Sequence, residues 1–504
     1  METRPFPEYD DHDAVGLAAL VAEGAVHPSE LVEAAVQRIE AANPAVNAVV
    51  RGRFDAARQD AAGATQTGPF AGVPTLIKDL VAEEGEAVSY GCVFFRDFVA
   101  EVTGEFRRRI DEAGFIDLGR TNTPEFGLLP TTEPSLHGPT RNPWDLSRSA
   151  GGSSGGAAAA VAAGMVPLAQ GSDGGGSIRI PASACGLFGL KASRGRLPRH
   201  PPFPSDSFSV DGSLTRTVRD TAAFLDAVHG ATPGEQYRAP APSRPFADAV
   251  GSEPGPLRVA YSVRDFRGRR VHPDCEAAVM ETVEILAGLG HDVTEAAPAI
   301  DGAAASDAFL LFWEAMTAHA ISLVLDGREA LDRRVRGIRR LAGDYRTMKL
   351  ISRVVEREAA APAFEPFTLE LVSRSGRRAP RDLLSAEITL QTIAHQTGRF
   401  LDGYDVFLTP VLGSPPLEIG AIDQTLPWPE LVELLTSYVA FTPLANFAGL
   451  PAMSVPLYWT NGGLPVGSHF LGRFGAEDTL LSLAGQLEAA KPWVDKKPPV
   501  LAEV

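Results

Sequence analysis

The sequence has little cysteine, no excess of positive charge and no long hydrophobic run, and each absence excludes a class of protein. Three cysteines occur among 504 residues, Cys92, Cys185 and Cys275, and no two of them form a Cys-x-x-Cys pair. Such wide spacing argues against a disulfide framework and against a structural zinc site. We therefore expect neither a metal nor a cofactor.

Charge and hydropathy exclude two further classes. The chain has 46 Lys and Arg against 63 Asp and Glu, a net charge of −17 at pH 7. Nucleic-acid binding needs a positive surface, so this balance predicts no nucleic-acid partner. No apolar run approaches the roughly 18 residues of a membrane span. Residues 1–13 are acidic and polar rather than typical of a secretory signal, so we expect no membrane partner and a cytoplasmic location.

The chain does contain a regular alternation of apolar segments typical of strands with amphipathic segments typical of helices. Strands are expected at 114–121, 165–172, 404–412 and 451–459, and helices at 13–43 (two of them), 217–229 and 275–290. This alternation predicts an α/β fold with a large mixed sheet covered by helices.

Two irregular stretches interrupt this pattern. Residues 230–256 are rich in Pro, Gly and Ala and could link two domains. We favour a surface connection, because the strand signals on its two sides are typical of one sheet. Residues 361–381 are expected as a second irregular insertion.

The segment GSDGGGS (171–177) places Ser177 after three glycines. A serine hydroxyl is a weak nucleophile that needs a base and donors aimed at the developing negative charge. Because Gly174, Gly175 and Gly176 lack a Cβ atom, their N–H groups could converge on one oxygen. The following SIRIPASACGL predicts a helix opened by Ser177, whose dipole would add positive potential. A plain glycine turn is the alternative.

A second serine, Ser153, lies in GGSSG (151–155), which matches the G-x-S-x-G nucleophile elbow. That motif should follow a strand, whereas the preceding NPWDLSRSA is typical of a loop. A flexible Ser/Gly linker is the alternative. The AAAAVAAG segment that follows predicts a buried helix, which disfavours a tether.

Lys78 is the only charged residue within the apolar part of GVPTLIKDL (72–80). A lysine removed from water loses proton affinity, and its neutral amine can accept a proton from a serine. The alternative is a surface ion pair with Asp79. One lysine and two glycine-flanked serines are enough for a nucleophile, a proton relay and an oxyanion hole, which suggests amide hydrolysis without histidine.

Taken in order, these segments resemble the amidase signature family. GVPTLIKDL resembles the family's lysine motif, and further landmarks lie at 119–127, 141–164, 171–196, 214–226, 404–410 and 445–457. The two serines are 24 residues apart, as in the family. The resemblance spans most of the chain. It implies a large, mixed, twisted sheet with helices on both faces, in one domain over 1–504. The signature core would occupy about 70–230, and residues 257–504 would complete the sheet and pocket.

The family implies a Ser–cisSer–Lys triad. Carried over, Ser177 would form the acyl-enzyme, Ser153 would relay its proton after a cis Gly152–Ser153 bond, and Lys78 would be the base. The backbone from Gly174 to Ser177 would supply the oxyanion hole. Two residues, Asp173 and Arg179, would support the glycine loop and the serine pair. Water and a small-molecule amide would be the reactants.

One local departure concerns Gly174, because the family usually has a larger residue after the aspartate. An added glycine should make the oxyanion loop more adaptable, with a small effect, since the donors are backbone groups.

The substrate pocket is expected around Phe126–Thr132 by family analogy. Phe126, Leu128 and Thr131 would line it, and Trp313 on a helical segment would form a wall or pack in the core. This lining favours a neutral, medium-sized amide. Within the family, TTEPSLHGPTRNPW (131–144) and LEAAKPWVDKKP (487–498) resemble the 6-aminohexanoate cyclic-dimer hydrolases. Related enzymes are often homodimers, which leaves a monomer and a homodimer both open.

Three rival interpretations remain. An A-type subunit of a glutamyl-tRNA amidotransferase belongs to the same superfamily, but the long C-terminal half and the acidic balance count against it. A binding protein that lost catalysis would not need all three proposed groups. A Ser-His-Asp esterase built on GGSSG would need a histidine, and His200, His229 and His395 are available without an evident motif.

Overall fold

An eleven-stranded mixed sheet forms the centre of the structure, a computed structural model that describes residues 5–63, 67–198, 208–326, 348–349 and 362–501. The strand order is β1-β3-β2-β6-β8-β7-β12-β13-β11-β9-β10, and a separate two-stranded sheet pairs β4 with β5. The strands are β1 Val49–Gly52, β2 Pro74–Lys78, β3 Ile116–Thr121, β4 Arg141–Asn142, β5 Asp145–Ser149, β6 Leu168–Asp173, β7 Phe188–Lys191, β8 Val210–Thr215, β9 Arg258–Tyr261, β10 Asp292–Glu295, β11 Val406–Pro410, β12 Ala452–Trp459 and β13 Pro465–Gly472.

Both halves of the chain contribute to this one sheet. Strands β1–β3 and β6–β8 occupy one side, and the strands after residue 257 occupy the other. The halves meet where β7 pairs with β12 in antiparallel register, with Ala452 opposite Lys191 and Ser454 opposite Gly189. Since the sheet continues across the 230–256 connection, we infer that the chain forms a single domain.

Fifteen helices surround the sheet in the described ranges. They are α1 Ala14–Ala22, α2 Pro28–Val46, α3 Phe54–Ala62, α4 Glu105–Glu112, α5 Gly155–Ala162, α6 Arg179–Cys185, α7 Val218–Val228, α8 Phe246–Val250, α9 Pro273–Gly288, α10 Gly302–Asp326, α11 Pro366–Ser375, α12 Pro380–Leu401, α13 Trp428–Tyr438, α14 Pro443–Phe447 and α15 Glu477–Ala490. None of them combines the length and apolar character that a bilayer crossing requires.

Burial along the strands explains the layered arrangement. Every residue of β2, β3, β11 and β13 is buried, so side chains on both faces of these strands are covered. Strands covered on both faces are typical of α/β folds, in which helices pack on each side of the sheet. The predicted fold class is therefore confirmed, and so are the strands expected at 114–121, 165–172, 404–412 and 451–459.

The expectation for residues 361–381 was wrong. The described part of this stretch holds α11 and the start of α12, rather than an irregular insertion. Each helix begins with proline, Pro366 and Pro380, at its first position. Proline is favoured there because its fixed φ suits a helix and the first N–H has no helical partner.

Two ion pairs to one buried carboxylate fix the long helix α10 beside the candidate site. Glu314 is 1% exposed and accepts hydrogen bonds from Arg374 at 2.7 Å and from Arg378 at 2.7 and 3.0 Å. These contacts join α10 to α11 and to the residues before α12. They set the position of the aromatic residues that precede Glu314 on α10.

Candidate active site

Lys78 ends strand β2 with its ammonium group sealed from solvent. The residue is 0% exposed, and its backbone N–H donates to Gln170 Oε1 at 3.0 Å. Its Nζ lies 2.7 Å from Ser153 Oγ, 2.9 Å from Ser154 Oγ and 3.2 Å from Ser172 Oγ. Burial lowers the pKa of Lys78 to about 7. Asp79, the alternative partner, instead accepts hydrogen bonds from the backbone and hydroxyl of Ser89.

The turn before α5 brings Ser153 to Lys78. Ser153 is 2% exposed, and the Gly152–Ser153 peptide bond is cis. The expectation of a loop before this turn was wrong, since Asp145–Ser149 forms β5. Because β5 pairs with β4 outside the central sheet, GGSSG still does not follow a strand of that sheet.

The glycine loop after β6, residues 174–177, is held by hydrogen bonds to both ends of the peptide between Gly175 and Gly176. The N–H of Gly176 donates to Asp173 Oδ1 at 2.8 Å, and the carbonyl of Gly175 accepts from Thr442 Oγ1 at 2.7 Å. Gly176 has φ +132°, and a Cβ atom there would lie 2.3 Å from Thr442 Oγ1. Only glycine suits this backbone and this space.

These contacts change two expectations for the loop. The N–H of Gly176 is taken by Asp173, so it is not free to bind an oxyanion. Gly174, Gly175 and Ser177 remain as candidate donors. Helix α6 begins at Arg179, so Ser177 lies before the helix and does not open it.

A buried ion pair supports the loop from behind. Arg179 and Asp173 are both 0% exposed, with Nη2 of the arginine 2.8 Å from Oδ1 and Nε 2.9 Å from Oδ2. The backbone N–H of Ile178 also donates to this carboxylate at 3.2 Å. Although burial alone would raise it, the pKa of Asp173 is held below its usual range by the Arg179 guanidinium. The carboxylate is therefore charged and anchors the turn that carries Ser177.

The two serine segments are joined through the backbone. Ser154 N–H donates to the carbonyl of Ser177 at 3.2 Å. Unlike buried Ser153, Ser177 is partly exposed and lines a cavity. A group in that cavity can therefore reach Ser177, whereas the side chains of Lys78 and Ser153 are buried.

The cavity measures about 1000 Å³, including the space at its mouth. Of the predicted pocket residues, Leu128 and Trp313 line it. Trp313 stacks on Phe309 with ring centroids 5.4 Å apart. A Cβ atom at Gly174 would lie 3.3 Å from the Trp313 ring, so the missing side chain gives the indole its place beside the loop.

The other two predicted pocket residues lie elsewhere. Phe126 packs in an aromatic cluster, with its ring centroid 5.8 Å from that of Phe95 and 6.2 Å from that of Tyr90. Thr131 is 2% exposed and contacts the Glu133 carboxylate. Neither is among the described residues that line the cavity.

The histidines offer no serine–histidine–aspartate arrangement in the described ranges around GGSSG. His229 ends α7 and packs on Phe246, His395 lies within α12, and His200 falls outside the described residues. His137 Nε2 does lie 3.2 Å from Ser89 Oγ, but the Ser89 hydroxyl donates to Asp79 and the serine is 1% exposed. Within the described ranges, no three potential metal-binding side chains come together.

Among the residues of the site that were not predicted from the sequence are two serines, an asparagine and a histidine. Ser154 and Ser172 contact Lys78, and Asn446 and His469 contact Arg179. Ser154 and Ser172 adjoin predicted residues, so a search for further hydroxyls in the same two segments could have found them. The other two lie 267 and 290 residues from Arg179 in sequence and gave no local signal.

Comparisons with known proteins identify the family of the chain. The family model Amidase matches residues 30–481. A 6-aminohexanoate-cyclic-dimer hydrolase of Paenarthrobacter ureafaciens is 36% identical over 508 residues, which cover 97% of each chain. A structure of 6-aminohexanoate cyclic dimer hydrolase complexed with substrate superimposes with a TM-score of 0.85 at 34% identity, covering 97% of this chain and 99% of that one. A bacterial aryl acylamidase of the amidase signature family has a TM-score of 0.82 at 27% identity, with 96% of each chain covered.

The family model and the relatives define the class of this chain, an α/β enzyme of the hydrolase type. The chain belongs to the amidase family, and it is an enzyme that acts on amide bonds.

Replacing Gly176 tests whether activity depends on the position of the Gly175–Gly176 peptide. We expect Gly176→Ala to lower kcat/KM at least about 100-fold, because the loop must shift by an ångström or so to clear Thr442. The control is Gly463→Ala, which has φ +82° but no atom within 4 Å of the added Cβ. Steady-state kinetics and thermal unfolding of both variants check this. Equal, small effects in the two variants would contradict it.

Proposed function

We propose that this enzyme is a serine amidohydrolase in which Ser177 attacks the amide, Ser153 relays a proton and Lys78 is the base. The observation that carries the proposal is the 2.7 Å contact between Lys78 Nζ and Ser153 Oγ, sealed from water. A neutral amine next to a hydroxyl is what general-base activation of serine requires.

The partners of Lys78 match the hydrogen-bonding capacity of a neutral amine. A neutral amine has two N–H donors and one lone pair, and three hydroxyls surround Nζ. Ser154 uses its own proton toward the carbonyl of Ser172 at 3.2 Å, so it accepts from Lys78. The shortest of the three contacts, to Ser153, is then the best place for the lone pair. In that arrangement Ser153 O–H donates to Lys78 and is ready to take a proton from Ser177.

The reaction then proceeds through an acyl-enzyme. Ser177 Oγ bonds to the carbonyl carbon while its proton passes to Ser153 Oγ and the Ser153 proton passes to Lys78 Nζ. The backbone N–H groups of Gly174, Gly175 and Ser177 are the candidate donors to the oxyanion. Lys78 returns the proton through Ser153 to the leaving nitrogen as the C–N bond breaks. Water repeats the sequence on the ester, releases the acid and regenerates Ser177.

The cavity favours a neutral, medium-sized amide. Leu128, Phe309 and Trp313 give the space beside Ser177 apolar and aromatic walls. Burial of methylene or ring surface against such walls contributes to binding, whereas a charged group there would lose hydration. The relatives named as 6-aminohexanoate cyclic dimer hydrolases support a cyclic or linear aliphatic amide of that kind.

Removal of the base or the nucleophile tests the triad. Ser177→Ala and Lys78→Met should each lower kcat by several orders of magnitude, about 10⁴-fold or more, as loss of a nucleophile or base does elsewhere. Lys191→Met is the matched control, because Lys191 is also fully buried with its pKa lowered by burial to about 7. Its Nζ donates to the Ala192 carbonyl rather than to a serine. Near-wild-type kcat in either triad variant would refute the assignment.

The pH dependence tests the neutral amine. Because the folded-state pKa of Lys78 lies at about 7, the amine is protonated and inactive below that pH and neutral above it. We expect kcat/KM to rise with an apparent pKa near 7 and to level off at alkaline pH. A rate that is flat between pH 5 and 9, or that falls on going from pH 6 to 8, would count against Lys78 as the base.

A substrate panel tests the substrate class and separates the rival amidotransferase subunit. Purified enzyme alone should hydrolyse the 6-aminohexanoate cyclic dimer or neutral linear aliphatic amides with higher kcat/KM than amides bearing a charge on the acyl group. Trp313→Ala should reduce that preference mainly through KM, because it removes apolar wall. No hydrolysis of any simple amide by the isolated chain would favour the amidotransferase reading.

A further inference from the structure

The buried arginine of the site makes an unusual contact with a histidine. Arg179 Nη1 lies 2.9 Å from His469 Nε2, and the two side chains are 0% and 3% exposed. A guanidinium group has only N–H donors and no acceptor. The nearby nitrogen of His469 must therefore be unprotonated and accept this hydrogen bond.

A second contact fixes where the imidazole proton lies. His469 Nδ1 is 3.0 Å from Thr409 Oγ1, and that hydroxyl donates onward to the carbonyl of Pro410 at 3.0 Å. With its own proton used, Thr409 accepts from Nδ1–H. Strand register explains the meeting, since Thr409 and His469 are directly opposite in the antiparallel pair β11–β13. The imidazole is thus held as the neutral Nδ1–H tautomer.

The electrostatics agree with a neutral ring. Burial, and then the Arg179 charge, hold the pKa of His469 well below its usual range. Asp173 offsets the effect of Arg179 only in part, and Lys191 lowers the pKa of His469 by a smaller amount. A protonated imidazole would direct an N–H at the guanidinium, so the arrangement needs the acceptor form.

His469 is connected to the glycine loop by hydrogen bonds through Arg179 and Asp173. Arg179 binds both oxygens of Asp173, and Asn446 Oδ1 accepts from Arg179 Nη2 at 2.6 Å. Asn446 Nδ2 donates to the backbone carbonyl and to Oδ1 of Asp173, at 2.9 and 2.8 Å. Asp173 in turn accepts the N–H of Gly176. The orientation of the loop therefore depends on a guanidinium whose remaining nitrogen is held by His469.

We propose that His469 is a positioning residue for amide hydrolysis, which holds Arg179 against Asp173 through an unprotonated Nε2 and so keeps the Gly174–Ser177 backbone aimed at the substrate carbonyl. This inference rests on the proposed function, because it assigns a role to the loop that carries Ser177. We expect His469 to stabilise the transition state, in which charge develops on the carbonyl oxygen, more than it strengthens substrate binding.

Two substitutions of similar size distinguish the role of His469 Nε2 as a hydrogen-bond acceptor from the role of the side chain in packing. His469→Gln can place an amide oxygen near the position of Nε2, whereas His469→Leu fills the space without an acceptor. We expect His469→Leu to lower kcat about 10- to 100-fold with little change in KM. A loss of this size lies between the effect of losing one hydrogen bond and that of displacing the loop by about an ångström. His469→Gln should recover kcat to within about 3-fold of wild type. Wild-type kcat in His469→Leu, or equal losses in the two variants, would overturn the proposal.

A variant outside the ring tests the tautomer if His469→Leu fails to fold. Thr409→Val removes the acceptor of Nδ1–H and keeps the side-chain shape, while Thr409→Ser keeps the hydroxyl. We expect a fall in kcat for Thr409→Val, with KM unchanged, and near-wild-type kcat for Thr409→Ser. Equal kcat in the valine and serine variants would overturn the tautomer assignment and the proposal with it.

The outcomes also separate this inference from the proposed function. If Ser177→Ala keeps its activity, the proposed function fails, whatever the His469 variants do. If Ser177→Ala is inactive while His469→Leu turns over normally, only the inference about His469 fails. Thermal unfolding of each variant shows whether a lower kcat accompanies a loss of folded enzyme.

Discussion

Withdrawal of the Lys78 amine from water is the constraint on which the rest of the site depends. Lowering its pKa from 10.5 to about 7 corresponds to a difference on the order of 5 kcal/mol between its protonation states. Coverage of strand β2 on both faces imposes this cost, and three hydroxyls around Nζ replace part of the lost water. A half-covered strand would leave the same lysine hydrated and charged. The layered fold and the proposed chemistry are therefore linked through one side chain.

The site has two polar layers with opposite electrostatic designs. Around Lys78 the partners are neutral hydroxyls, which leave the amine free to change its protonation state. Behind the glycine loop, Asp173 and Arg179 are a charged pair with its remaining hydrogen-bonding groups met by Asn446 and His469. Buried ion pairs are rigid when all their partners are satisfied. The Lys78 amine can exchange a proton with its hydroxyl partners, whereas the Asp173–Arg179 pair stays charged. This arrangement keeps the glycine loop fixed while Lys78 changes its protonation state.

Local sequence pointed to the three residues that we propose to react, and the family resemblance pointed to Asp173 and Arg179 as supports, but neither pointed to Asn446 or His469. Lys78, Ser153 and Ser177 are recognisable because an isolated charge or a glycine-flanked hydroxyl is unusual within a short window. Asn446 and His469 are not, since their roles come from the strand register and helix packing that join distant segments. The prediction for Gly176 failed for a related reason. Which N–H faces the cavity depends on where the Asp173 side chain turns, and composition alone does not encode that turn. Likewise Phe126, at φ 50°, directs its ring into an aromatic cluster.

The antiparallel pairing of β7 with β12, which joins the two halves of the sheet, has a consequence for when during synthesis the active site is completed. All three proposed reacting side chains precede β7 in the chain, whereas Thr442, Asn446 and His469 follow it. An incomplete polypeptide leaving the ribosome would thus carry the proposed nucleophile and base, with Asp173 and Arg179, but without Thr442, Asn446 and His469. Under the proposed mechanism, the glycine loop is therefore fully supported only after residues 442–469 have been synthesised and have folded onto it.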